Sequence, residues 1–188
     1  MVVSLPLLAG CVQSVYPFYE DSDLVFDGSL AGTWVGEGEL KPCLLTITAD
    51  RSRQVRQYNL ELLRVPGGCP DLNSDWSKPG GGGQLLQLGQ QRFLDVWDDM
   101  CGLHTLLKVR ANSHTLSLVP IDSDLLADFI RNKTVNLQGR IEGGSAAWGY
   151  PDDVLLTSAT EDLRKFLRAH ADDKNLFRET DALQFVRK

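Results

Sequence analysis

Between residues 34 and 121 the apolar side chains recur at every second position, and this restricts the chain to β structure more than any other feature. Leu45, Ile47 and Ala49 alternate with Leu44, Thr46 and Thr48. Tyr58, Leu60 and Leu62 share a side opposite Asn59, Glu61 and Leu63. Leu94 and Val96 alternate with Phe93, Asp95 and Trp97, and Leu116 and Leu118 with Thr115, Ser117 and Val119. Leu103, Thr105, Leu107 and Val109 face away from His104, Leu106, Lys108 and Arg110. Turn residues such as Asp50-Arg51-Ser52 and Ala111-Asn112-Ser113 separate the runs. The pattern predicts an antiparallel meander, closed as a small barrel or packed as a sandwich. Its interior is expected to be filled by Tyr58, Leu60, Leu62, Leu94, Val96, Leu107 and Leu118, with Trp34 at the base. Residues 135–141 and 154–157 are further apolar pieces that fit the edge of such a sheet.

Two helices interrupt the β signal in the C-terminal half. Residues 123–131 place Leu125, Leu126, Phe129 and Ile130 on one stripe, behind a cap from Asp122 or Ser123. Residues 159–170 follow a capping box of Ser158 and Glu161, with Leu163, Phe166 and Leu167 as the apolar face. Glu161 and Asp162 suit the positive end of that helix, and Arg168 and His170 the negative end. This helix is expected to cover an open end or a face of the sheet. Residues 182–186 read as a short strand or a third helix. The fold class is therefore mainly β with two or three short helices, and residues 24–188 are enough for a single domain. One insertion breaks the meander: residues 66–83 hold Gly67-Gly68, Pro70, Pro79 and the run from Gly80 to Gly83. Four glycines in succession specify no shape, which predicts a mobile loop. Trp76 in its middle either folds back on the domain or is available to a partner.

The chain opens with Leu7-Leu8-Ala9-Gly10-Cys11: an apolar run, two small residues and a cysteine. It resembles the signal of bacterial lipoproteins, Leu-[Ala/Ser]-[Gly/Ala]-Cys, at all four positions. No Lys or Arg precedes the apolar run, which points to a basic region further upstream. The resemblance implies that residues 1–10 are removed, that Cys11 carries lipid, and that residues 11–23 form a tether. Twelve residues reach roughly 40 Å when extended. The tether holds an aromatic knot, Tyr16-Pro17-Phe18-Tyr19, which is expected to clamp it onto its own domain, with a partner contact as the alternative. Val12, directly after the cysteine, is not the aspartate associated with inner-membrane retention, so the resemblance implies the outer membrane. Beyond the box, Gly32-Thr33-Trp34 resembles the Gly-x-Trp that opens the first strand of lipocalin-like barrels, where the tryptophan closes the base. The second lipocalin motif, Thr-Asp-Tyr, is absent. The lipobox followed by Phe26-Asp27-x-x-Leu30-x-Gly32-x-Trp34 is similar to a group of uncharacterised bacterial lipoproteins over the first 34 residues, and that resemblance implies no activity.

The net charge of -6 repels phosphate backbones and anionic lipid heads, so nucleic acid is not an expected partner and membrane attachment rests on the lipid. Cys43, Cys69 and Cys101 fit no zinc spacing, and an exported domain meets an oxidising compartment. In the meander the start of the strand at Cys43 and the end of the strand before Cys69 lie at one end. Cys101, one further strand on, lies at the other. The expected bridge is Cys43–Cys69, with Cys101 the odd thiol. The sequence holds no Gly-x-Ser-x-Gly, no phosphate loop and no His-Glu-x-x-His, so no catalytic residue, cofactor or metal is assigned. His104, three residues after Cys101, falls on the opposite face of a strand. Asp98-Asp99 and Asp152-Asp153 read as solvated turns. Two functions stay open: a structural, assembly or protein-interaction module at the periplasmic face of the outer membrane, which is favoured, and a lipocalin-like carrier of a small apolar ligand.

Overall fold

The period-two runs become strands of a closed eight-stranded barrel in the structure, a computed structural model that describes residues 12–41, 43–50, 57–64, 82–97, 102–143 and 152–188. After a short first strand, β1 (Val12–Ser14), come β2 (Gly32–Gly36), β3 (Cys43–Asp50), β4 (Gln57–Arg64), β5 (Gly82–Leu88), β6 (Gln91–Trp97), β7 (His104–Ala111) and β8 (Thr115–Pro120). Helix α1 (Ser123–Arg131), strands β9 (Gly139–Glu142) and β10 (Asp153–Leu156), helix α2 (Thr160–His170) and strand β11 (Leu183–Arg187) complete the order. β2 to β8 pair antiparallel in succession, and β11 closes the wall between β8 and β2. The barrel of the two alternatives is thus the one adopted, and residues 183–187 are its eighth strand.

The alternation of each strand divides its side chains between two cores. Trp34, Cys43, Leu45, Ile47, Tyr58, Leu60, Leu85, Leu94, Val96, Leu107, Val109, Leu116, Leu118 and Phe185 form one buried cluster inside the barrel. The outward residues of β5 to β8 are apolar as well: Leu86, Leu88, Phe93, Leu106 and Val119 are buried against Leu126 of α1 and Leu163, Phe166 and Leu167 of α2. These strands are apolar on both faces because both faces are covered. The outward residues of β3 and β4, such as Thr48, Asn59 and Glu61, remain exposed.

β5 corrects the reading of the glycine run. Gly82 and Gly83 are not loop: they pair with Trp97 and Val96 of β6. A Cβ on Gly83 would stand 2.6 Å from Leu60 Cδ1 inside the barrel, and one on Gly82 would run into the Trp97 ring. Residues 66–81 before them, with Trp76, lie outside the described residues. The extra strand also changes the parity of the meander. β6 ends, and β7 begins, at the end of the barrel where β3 begins. The argument that set Cys101 at the opposite end from Cys43 therefore fails.

The helix caps differ between the two helices. Asp122 caps α1, its carboxylate accepting from Leu125 N at 2.7 Å. For α2 the expected capping box does not form: Ser158 Oγ accepts from Gln138 N at 2.6 Å, and Ala159 takes the cap position without a side-chain bond. Asp152 is not a solvated turn residue either. It is buried, with Arg131 Nη1 at 2.8 Å.

The expected clamp of residues 12–23 onto the domain is present, with Phe18 fully buried in the core. Residues 12–23 are part of the domain. β1 pairs antiparallel with the start of β7 and parallel with β10, and β10 pairs with β9, so a small sheet extends the barrel wall. β7 has β8 along the later part of one edge and β1 along its beginning.

Candidate functional site

The described features with the most unusual chemistry gather where residues 14–31 cross the barrel. The Gly-x-Trp segment makes the first of them. Gly32 has φ 150°, which favours glycine, and a Cβ there would stand 2.5 Å from Arg187 Nη1 and displace the guanidinium. Trp34 is fully buried and donates from Nε1 to Leu30 O at 3.0 Å. The Arg187 guanidinium lies over the indole, 4.2 Å from the ring centroid. It donates to Ala31 O at 3.1 Å, to Ser113 O at 3.0 Å and to Ser29 O. One arginine thus ties the 3-10 turn before β2, the β7–β8 turn and the last strand across this end of the barrel. The guanidinium is polar toward three carbonyls and stacks on an aromatic face, which a lysine would not reproduce.

The second feature lies on the outer wall. Asp95 projects outward from β6 and is fully buried. Its Oδ1 is 2.8 Å from His104 Nδ1, the first residue of β7, and its Oδ2 accepts from Phe18 N at 2.9 Å. Burial pushes the Asp95 carboxyl up from its ordinary value, against the lowering effect of His104 and the Phe18 amide. Tyr19 beside it is pushed up to about 12, by burial first and then by the charges of Asp95 and Asp21. The contact fixes the orientation of the imidazole through Nδ1. Among the described residues no hydroxyl or thiol is hydrogen-bonded to that imidazole, and no three His, Cys, Asp or Glu converge on a metal position. What the dyad demonstrably does is hold the backbone of the N-terminal segment.

The third feature fastens the same segment to α2. Asp23 is buried, and Arg164 grips it with two bonds, Nε to Oδ2 at 2.5 Å and Nη2 to Oδ1 at 2.9 Å. Glu20 Oε2 takes the third guanidinium nitrogen of Arg164 at 2.6 Å, and Arg168 approaches Asp23 at 3.4 Å. Burial alone would raise the Asp23 carboxyl. The hydrogen bonds from Arg164 and from the Glu20 amide, with the charges of Arg164 and Arg168, outweigh it and hold the carboxyl below its ordinary value. Lys108, also on the outer wall, is buried and donates to Ala171 O at 2.7 Å, where it serves the carbonyl end of α2.

The residues singled out from the sequence fall in different places. Phe18 is fully buried and Tyr19 packs against the same core, so Phe18 is no contact for a partner. Tyr16 is exposed, at 49%. Cys43 is buried at the barrel end and is disulfide-bonded. Cys11, Cys69, Cys101 and Trp76 lie outside the described residues. No helix among the described residues is long and apolar enough to cross a membrane. Asp95 itself carried a usable signal, an acid amid Phe93, Leu94, Val96 and Trp97. Its pairing with His104 needs the β6–β7 register, in which His104 is opposite Trp97. Compared with known proteins, the chain matches no family model, no curated protein and no solved structure.

Proposed function

We propose that this chain is exported, carries lipid on Cys11, and acts through its outer surface as a structural or protein-interaction module at the periplasmic face of the outer membrane. The observation that carries the surface role is the barrel interior. A carrier needs a cavity lined by apolar groups with room for a ligand. Here Trp34, Tyr58, Leu60, Leu85, Leu94 and Phe185 are each at most 3% exposed and meet in one cluster, so the barrel holds its own side chains. The disulfide at Cys43 supports export, since such bonds persist in oxidising compartments.

Two measurements test this. Replacing Cys11→Ser, with a complete signal upstream, is expected to move the protein from the membrane fraction to the soluble fraction or to leave the signal uncleaved. Equal membrane association of both forms would remove the lipid from the proposal. Native mass spectrometry of the protein extracted from its host envelope is expected to show the chain plus one covalent lipid group and no further apolar adduct. A fatty acid that co-purifies reproducibly, and is lost in Leu60→Glu, would establish the carrier instead.

A further inference from the structure

We infer that the anchored domain has no slack, and that the β1–β10–β9 sheet lies directly on the phospholipid headgroups of the leaflet that holds its acyl chains. The inference rests on the proposed lipidation of Cys11. A lipid on that residue is one peptide unit, about 3.8 Å between Cα atoms, from Val12. Val12 is already folded: it is 6% exposed, belongs to the outer core and pairs with Val154. Lipoproteins with a free linker hold their domain at a distance set by linker length, whereas here the first residue after the anchor is in the sheet.

Nothing downstream can be released cheaply to serve as a linker. Val15 N donates to Leu156 O at 3.0 Å, and Thr160 Oγ1 of α2 donates to Pro17 O at 2.9 Å. Phe18 is buried with its amide on Asp95, and Asp23 is gripped by Arg164. Peeling this segment away would expose Val12 and Phe18 and strand a buried carboxylate and a buried guanidinium. Each of these costs free energy, and the stranded charges cost most.

The surface around the anchor fits an uncharged headgroup layer. A strand's period of two puts Gln13 and Val15 on the side away from the buried Val12 and Ser14. Leu155, paired with Gln13, adds to that side, and both are only partly buried. Among the described residues only three large apolar side chains are exposed, and two of them, Val15 at 42% and Tyr16 at 49%, directly follow β1. A tyrosine with a polar tip and an apolar ring suits the headgroup level. On the neighbouring strands Asp153 and Glu142 are exposed alongside Arg140, so the sheet offers no basic patch for anionic lipid.

The test compares the lipidated chain with a variant carrying twenty Gly/Ser residues inserted between Cys11 and Val12. Both are reconstituted in a supported phosphatidylethanolamine–phosphatidylcholine bilayer, and neutron reflectometry measures the gap between headgroups and protein. The wild type is expected to show protein density beginning at the headgroups. The insertion should move it outward by up to about 25 Å, the span of a flexible linker of that length. Lipid on Cys11, verified by mass spectrometry, together with the same gap for both proteins would overturn the inference and leave the lipid anchor standing. Absence of lipid on Cys11 would overturn both.

Discussion

Replacing Arg164→Ala is expected to destabilise the domain by about 3–5 kcal/mol, the usual result of removing one partner from a buried ion pair. Asp23 would keep its carboxylate, buried with the Glu20 amide at 3.0 Å but without the two guanidinium bonds. Thermal unfolding should register a fall of roughly 6–20 °C, at about 2–4 °C per kcal/mol for a chain of this size. The double replacement Asp23→Leu with Arg164→Met is expected to recover most of the loss, because an apolar pair of similar volume needs no compensation. The pH dependence has a definite sign. The Asp23 carboxyl is held below its ordinary value in the folded state, so its contribution is present above the unfolded carboxylate range near pH ~4. It is lost as pH falls through the lower native value. The wild type should lose this part of its stability on acidification, and Arg164→Ala should have little of it to lose. A single variant that unfolds within 1 kcal/mol of wild type would show that the grip on Asp23 is not what holds residues 12–23 to α2.

Trp34→Ala is expected to cost a similar amount for a different reason. A fully buried tryptophan cut to alanine leaves a void in a close-packed interior, typically worth about 3–5 kcal/mol. Arg187 would also lose the ring beneath it, about 0.5–2 kcal/mol more. Trp34→Phe separates the terms. It keeps much of the volume and an aromatic face but strands Leu30 O, and is expected to cost about 1–3 kcal/mol. Urea unfolding followed by circular dichroism would rank the three proteins. If Trp34→Phe were as damaging as Trp34→Ala, the indole hydrogen bond rather than packing would be the dominant contribution.

Where a residue's partner is close in sequence or dictated by alternation, the sequence was readable. Trp34, Tyr58, Leu60, Leu94, Val96, Leu107 and Leu118 all sit inside the barrel as their periodicity predicts. Helix α1 begins and ends at the expected residues, with Asp122 as its cap. β5 was hidden because Gly82 and Gly83 look like loop, although they are glycine for want of space, and because Leu85 and Leu86 are buried on opposite faces and so show no alternation. Without that strand, the inference about Cys101 rested on the wrong number of strands. The fastening of the N-terminal segment was hidden by distance. Asp23 and Arg164 are 141 residues apart, and in Glu20-Asp21-Ser22-Asp23 nothing local separates the buried Asp23 from the exposed Glu20 and Asp21. Asp95 and His104 are nearer, but only the β6–β7 register brings them together.

The place of β11 in the wall has a consequence for how this molecule comes into being. β8 ends at Pro120 and its barrel neighbour begins at Leu183, so α1, β9, β10 and α2 all precede the strand that joins β8 to β2. Until those last residues arrive, β2 and β8 each present an open row of amides and carbonyls, and Trp34 lacks the arginine that covers it. A chain delivered from its N-terminus therefore has no finished barrel at any intermediate length. Its two wall edges must wait unpaired, which makes formation slow and leaves the edges open to strands of other molecules during the wait.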